Sequence, residues 1–124
     1  MATLFYGSIS TINYEAGTAS IALTDRENQI IQDVPFLSAF YEMPETGDIV
    51  AVIFEEIDGQ IGKGVILGKI FLQGNVPKET GKGIFYKELG GGAAVKYSQE
   101  TEELEVTTKR IIVDELVYKT LTQR

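Results

Sequence analysis

The sequence predicts an all-β protein in two parts, and three observations carry that expectation. Thirteen glycines, only three prolines and abundant Val, Ile, Thr, Tyr and Phe favour strands and turns over helices. Two nearly continuous apolar runs, Ile49–Phe54 and Gly64–Phe71, flank a polar turn segment inside the stretch Tyr41–Phe71. A composition break then falls at Gln73–Lys82 (QGNVPKETGK), where no apolar period survives.

Taken in order, residues 4–12 alternate loosely as a first strand, with Gly7 placed for a bend or bulge. Asn13 to Gly17 reads as a turn. Thr18–Leu23 is a second strand with Ala19, Ile21 and Leu23 on one face, and Asp25–Asn28 is a charged turn. Gln29–Phe36 is a third strand, ending where Pro35 limits pairing. Phe36–Tyr41 fits either a short helical turn or a loop plugging one barrel end; six residues are too few for periodicity to separate them. Pro44 and the Gly47-Asp48 turn lead into Ile49–Phe54, whose unbroken hydrophobicity is that of a strand buried on both faces. Asp58-Gly59 is a strong hairpin dipeptide, and Val65–Phe71 closes the set. Five strands in about 70 residues, with glycines placed for bulges, meet the requirements of a small OB-type Greek-key barrel.

The expected domains are therefore residues 1–73 for the barrel, 74–82 for a linker and 83–124 for a second, thinner part. In that part short strands are expected at Gly83–Tyr86, Ala93–Ser98, Leu104–Thr107, Ile111–Val113 and Val117–Leu121. About 40 residues of short strands cannot bury a sufficient core alone, and chains that small rely on disulfides, metals or association. Association covers both the apolar side chains and the unpaired strand edges. The sequence thus favours an intertwined β-structured oligomer, with Val95, Tyr97, Leu104, Val106, Ile112, Val117 and Leu121 as its core.

Charge and residue usage exclude several functions. Residues 1–62 hold ten acidic side chains and one basic, Arg26, whereas residues 63–124 hold eight acidic and ten basic. That distribution argues against nucleic acid as a partner, since phosphate binding uses clustered Lys and Arg. The chain has neither Cys nor His, which removes disulfides, thiolate metal sites and the usual general base. No cofactor, metal site or catalytic residue is expected. The N-terminus MATLFYGSIS lacks the basic and apolar regions of a secretory signal, and no apolar run approaches the roughly 20 residues of a membrane span.

Three segments resemble one family, the baseplate spike proteins of contractile phage tails (the phage baseplate assembly protein V group) and the related spikes of type VI secretion. FYGSISTINYEAGTASIALTDRE is similar to that family's opening strand pair with its acidic turn. MPETGDIVAVIFEE followed by KGVILGKIF resembles its Pro-x-x-Gly-Asp-x-Val-x-Val-x-Phe strand and its closing Gly-Val-x-x-Gly strand. Pro44, Gly47, Asp48, Val50, Val52, Phe54, Gly64, Val65 and Gly68 match that barrel motif. GIFYKELGGGAAVKYSQETEELEVTT resembles the start of the family's spike. The resemblance covers nearly the whole chain. It implies an N-terminal OB-fold and a C-terminal trimeric triple-stranded β-helix, on the tail axis beneath the hub. Several family members end in a His-x-His motif that binds iron at the apex. This chain has no His, so the end is blunt, closed by apolar packing, or capped by a separate tip protein.

Sharper chemical readings fare poorly beside structural ones. Gly62-x-Gly64-x-x-x-Gly68 is followed by no Lys-Ser/Thr and no helix, so it reads as strand bulges rather than a phosphate loop. Glu55, Glu56 and Asp58 match no calcium loop and read as a solvated hairpin tip. Glu100, Glu102, Glu103 and Glu105 could face a cation on a threefold axis. Glu103 and Glu105 instead fit outward positions alternating with Leu104 and Val106. Phe5, Tyr6, Phe36, Phe40 and Tyr41 could stack bases, but with Arg26 as the only base in that half they read as barrel core or subunit packing.

The expectation is a non-enzymatic structural protein: a homotrimeric central spike of a contractile phage tail or tail-like particle, assembled in the bacterial cytoplasm. It docks to hub and baseplate proteins by its OB-fold and leads the tube to the target cell envelope. The alternative is a monomeric OB-fold ligand- or nucleic-acid-binding module with a flexible β-rich tail.

Overall fold

A computed structural model describes residues 2–72 and 74–119, and the protein is all-β. Eight strands follow one another: β1 (Ala2–Asn13), β2 (Thr18–Leu23), β3 (Gln29–Pro35), β4 (Ile49–Ile57), β5 (Gln60–Lys69), β6 (Ile84–Gly90), β7 (Ala93–Ser98) and β8 (Glu103–Thr107). A 3-10 turn, Thr24–Arg26, joins β2 to β3. The chain divides into two compact units between Val76 and Pro77.

In the first unit five antiparallel strands form one sheet in the order β3-β2-β1-β4-β5. The sheet curls because its two outer strands meet: Phe36, just past β3, bridges Ile66 of β5 in parallel, and the Leu37 amide donates to the Ile66 carbonyl at 3.3 Å. The result is a curled half-barrel compatible with an OB-fold-like barrel.

Strand periodicity builds its core. Ala19, Ile21 and Leu23 of β2 and Val50, Val52 and Phe54 of β4 all point inward, joined by Phe5, Ile9, Val34 and Ile66. The Phe5 and Phe54 rings meet edge to face, their centroids 5.9 Å apart. Over Phe5 lies the Arg26 guanidinium, 5.4 Å from the ring centroid. Arg26 also pairs with Glu56, whose second oxygen accepts the Thr3 hydroxyl. The expectation that β4 is buried on both faces is corrected. Ile49, Ala51 and Ile53 are half-buried, because the curled sheet covers only its inner side.

Two glycines have demonstrable work in this barrel. An added Cβ on Gly64 would sit 2.1 Å from Cδ1 of Phe54 and 2.7 Å from the Ile53 carbonyl oxygen, so the Phe54 ring occupies the place of a side chain. Gly47 adopts φ +93, and its amide donates to the Ile9 carbonyl at 2.8 Å while Ile9 donates back to Asp48 at 2.8 Å. The Pro44–Asp48 turn is thereby stitched to β1, with the Glu45 amide donating to the Asp48 carboxylate at 2.7 Å. The first-strand irregularity lies between Ile9 and Thr11, not at Gly7. Gly7 is regularly paired, and a Cβ there would come within 2.9 Å of the Ala22 carbonyl oxygen. Asp58 and Gly59 both have positive φ, as a two-residue hairpin turn of the primed type demands.

The second unit is a three-stranded antiparallel meander, β6-β7-β8. Gly91 and Gly92 make its first turn at positive φ. β6 runs four residues beyond the expected Tyr86, because β7 offers it a partner as far as Ala93. The expected strands at Ile111–Val113 and Val117–Leu121 are absent among the described residues: residues 108–119 hold no strand, and 120–121 lie outside the description. Apolar alternation there finds no neighbouring strand in its own chain to accept a ladder.

Gly64→Ala is expected to destabilise the barrel by about 1–3 kcal/mol through overpacking against Phe54. Gly62→Ala, whose Cβ would make ordinary contacts of 3.4 Å or more with Glu55, is expected to fall within about 0.5 kcal/mol of the parent. Urea unfolding followed by near-ultraviolet circular dichroism distinguishes the two.

Candidate oligomerisation surface

All ten buried apolar residues belong to the first unit, and among the described residues of the second none is buried. That contrast locates the candidate site. The register of the meander sorts its side chains into two faces. On one face Phe85, Tyr97 and Leu104 form a cross-strand row, and Lys87, Val95 and Val106 form the next. On the other lie Tyr86, Lys96 and Glu105 in one row and Glu88, Ala94 and Thr107 in another.

The polar face is closed by its own charges. Lys96 pairs with Glu79 at 2.7 Å and Lys78 with Glu88 at 2.7 Å. The hydrogen bond from each lysine to its carboxylate, aided by the opposite charge, holds both ammonium groups above their ordinary pKa. The Lys96–Glu79 pair borders a shallow depression that Tyr86, Glu105 and Thr107 also line.

On the other face the apolar side chains are left exposed. Leu104 is 64% exposed and Phe85 57%. Full burial of one such side chain is worth about 1.5–3 kcal/mol, so an unpartnered face of five apolar residues leaves several kcal/mol unrealised. Beyond β8, Ile111, Ile112, Val113, Leu116, Val117 and Tyr118 are each more than half exposed. These exposed apolar side chains are what make this region the candidate site.

Of the seven residues expected as an oligomer core, Val95, Tyr97, Leu104 and Val106 come together on this one face. Ile112 and Val117 lie in the segment after β8, both nearly fully exposed, and Leu121 falls outside the described residues. Phe85 completes the row of Tyr97 and Leu104 and was missed by the sequence, because the strand holding it was read as too short to reach Lys87. Phe85-Tyr86-Lys87-Glu88 carries no apolar alternation, so only the register of β6 on β7 assigns Phe85 to this face. Glu103 and Glu105 lie on the side opposite Leu104 and Val106.

The barrel motif is placed as follows. Val50, Val52 and Phe54 are core, Pro44 is buried and Val65 is half-buried. Asp48 lies 3.5 Å from Lys69. Gly68, at φ +144, adjoins a register shift opposite Ala51 and Val52. The five aromatics weighed as a base-stacking platform are divided. Phe5 is in the core and Phe36 packs against it, whereas Tyr6, Phe40 and Tyr41 are exposed. Among the described residues no three acidic side chains converge as metal ligands.

No protein-family model matches this sequence, and no curated protein matches it.

Because its ion pair is solvent-screened, Lys96→Ala is expected to leave the melting temperature nearly unchanged and the oligomeric state unchanged. A large drop, or a change of mass, would show that the polar face is packed in the assembled protein.

Proposed function

We propose that this chain is a structural protein, the homotrimeric central spike of the baseplate of a contractile phage tail or tail-like particle. The observation that carries the reading is a second unit with no buried side chain among its described residues, one face of which presents Phe85, Val95, Tyr97, Leu104 and Val106 beside a single Lys87. Three copies turning that face inward would cover Phe85, Val95, Tyr97, Leu104 and Val106 about a common axis. The segment after β8 would gain the strand neighbours it lacks alone, as a triple-stranded β-helix requires. The number three comes from the resemblance carried by MPETGDIVAVIFEE, KGVILGKIF and GIFYKELGGGAAVKYSQETEELEVTT.

In this reading the half-barrel is an OB-fold that docks to hub and baseplate proteins, and the shaft is a passive load-bearing rod. Interlocked strands fail only when many backbone hydrogen bonds break together, and such a bundle needs no catalytic group, metal or cofactor. Without His, the end is left to apolar packing or to a separate capping protein. The shaft would lead the tube to the target envelope when the sheath contracts.

Sedimentation equilibrium is expected to give three times the 13.6 kDa chain mass for the natural sequence. Val106→Asp, which sets three carboxylates against one another in an apolar core, is expected to give a monomer with the barrel still folded. A monomeric parent would contradict the proposal, and a trimeric Val106→Asp would contradict the assigned core. Antibody labelling of contractile particles in electron micrographs is expected at the baseplate end, and sheath labelling would contradict the placement.

A further inference from the structure

The longest connection of the barrel, residues 36–48 between β3 and β4, contains neither helix nor strand. A connection of that length inside a compact unit is usually a binding loop or a lid. Its second half is tied to the barrel through buried Pro44 and the backbone bonds of Gly47 and Asp48 to Ile9. The first half presents its side chains to solvent: Phe40 is 79% exposed and Tyr41 69%. The Tyr41 ring is held out rather than left loose. The Tyr41 hydroxyl donates to the Tyr14 carbonyl at 2.8 Å, and the Phe36 amide donates to the Gly17 carbonyl at 3.1 Å. The β1–β2 turn and this loop are thereby joined at one end of the barrel. Tyr14, Leu37, Phe40 and Tyr41 are gathered there, all exposed.

The charged side chains of these two segments are acidic: Glu15 on the turn, and Glu42, Glu45 and Asp48 on the loop, with Asp48 paired to Lys69 of β5. Aromatic faces bordered by carboxylates suit a cation. Guanidinium suits them best, because it stacks on a ring while its edge pairs with an acid. The same charges repel a phosphate backbone. Exposed aromatics fixed by hydrogen bonds are also the side chains that anchor protein interfaces at low entropic cost.

We infer that this end of the barrel is a docking patch for a protein surface that presents arginine side chains. The inference rests on the docking role given above to the barrel and is independent of the trimer. The probe is a fluorescent oligo-arginine peptide, read by anisotropy beside an oligo-lysine peptide of the same length and a single-stranded oligonucleotide. The natural protein is expected to bind oligo-arginine more tightly than oligo-lysine and to leave the oligonucleotide free. The charge-neutral double variant Phe40→Ser, Tyr41→Ser is expected to weaken oligo-arginine binding about tenfold or more. Tyr41→Phe, which keeps the ring but loses the bond to Tyr14, should fall between. All three proteins should share one melting temperature and one sedimentation mass, since these side chains are exposed and lie in the first unit. Equal binding by parent and double variant would overturn the inference, reducing the effect to bulk attraction between a basic peptide and an acidic protein. Preference for the oligonucleotide would overturn it in favour of nucleic acid. A trimer that fails this test refutes the patch and leaves the spike reading standing. A monomer that passes it supports the patch and refutes the spike.

Discussion

Everything in this structure depends on the fact that a β-strand must be served twice, by a neighbour for its backbone and by a cover for its apolar face. The first unit meets both demands within one chain. Its five strands pair in the order β3-β2-β1-β4-β5, its outer strands meet at Phe36 and Ile66, and the curl so produced wraps Phe54, Ile21, Leu23 and their neighbours completely. The second unit meets only the first demand. Three strands cannot curl far enough to cover themselves, and one face remains apolar and open.

The chemistry of each unit follows from that difference. In the barrel, selection acts on fit: Gly64 exists because the Phe54 ring fills its side-chain space, and Gly47 because the turn onto β1 needs a left-handed residue. In the meander, selection acts on which face is left open. Lys78, Lys96, Glu79 and Glu88 are spent on one side, so charge is largely withdrawn from the other. A face that leaves Phe85, Tyr97, Leu104 and Val106 exposed forgoes the stabilisation that burial would give.

The barrel was legible in the sequence where local signals were strong. Asp58-Gly59, the alternation of Thr18–Leu23 and the run Ile49–Phe54 each specify an element through turn chemistry or period. What was misread depended on distant parts of the chain. Whether Ile49, Ala51 and Ile53 are covered depends on a sheet closing some distance away, and periodicity within one strand carries no trace of it. The bend expected at Gly7 lies instead between Ile9 and Thr11, and the missing side chain of Gly7 serves the close approach of the Ala22 carbonyl. In the second unit the open face was half legible. Val95, Tyr97, Leu104 and Val106 alternate visibly, whereas Phe85 joins them only through the register of β6 on β7. Apolar residues after β8 were read as strands from their composition, yet composition cannot provide the neighbour that makes a strand.

The central claim is that copies of this chain cover one another's apolar face, and the absence of cysteine allows it to be tested at a single point. A nitroxide attached through Leu104→Cys reports directly on the centre of that face. The account predicts an immobilised label with dipolar broadening between labels, relieved when labelled chains are refolded with excess unlabelled chains. A freely tumbling label with no broadening at any dilution would contradict it.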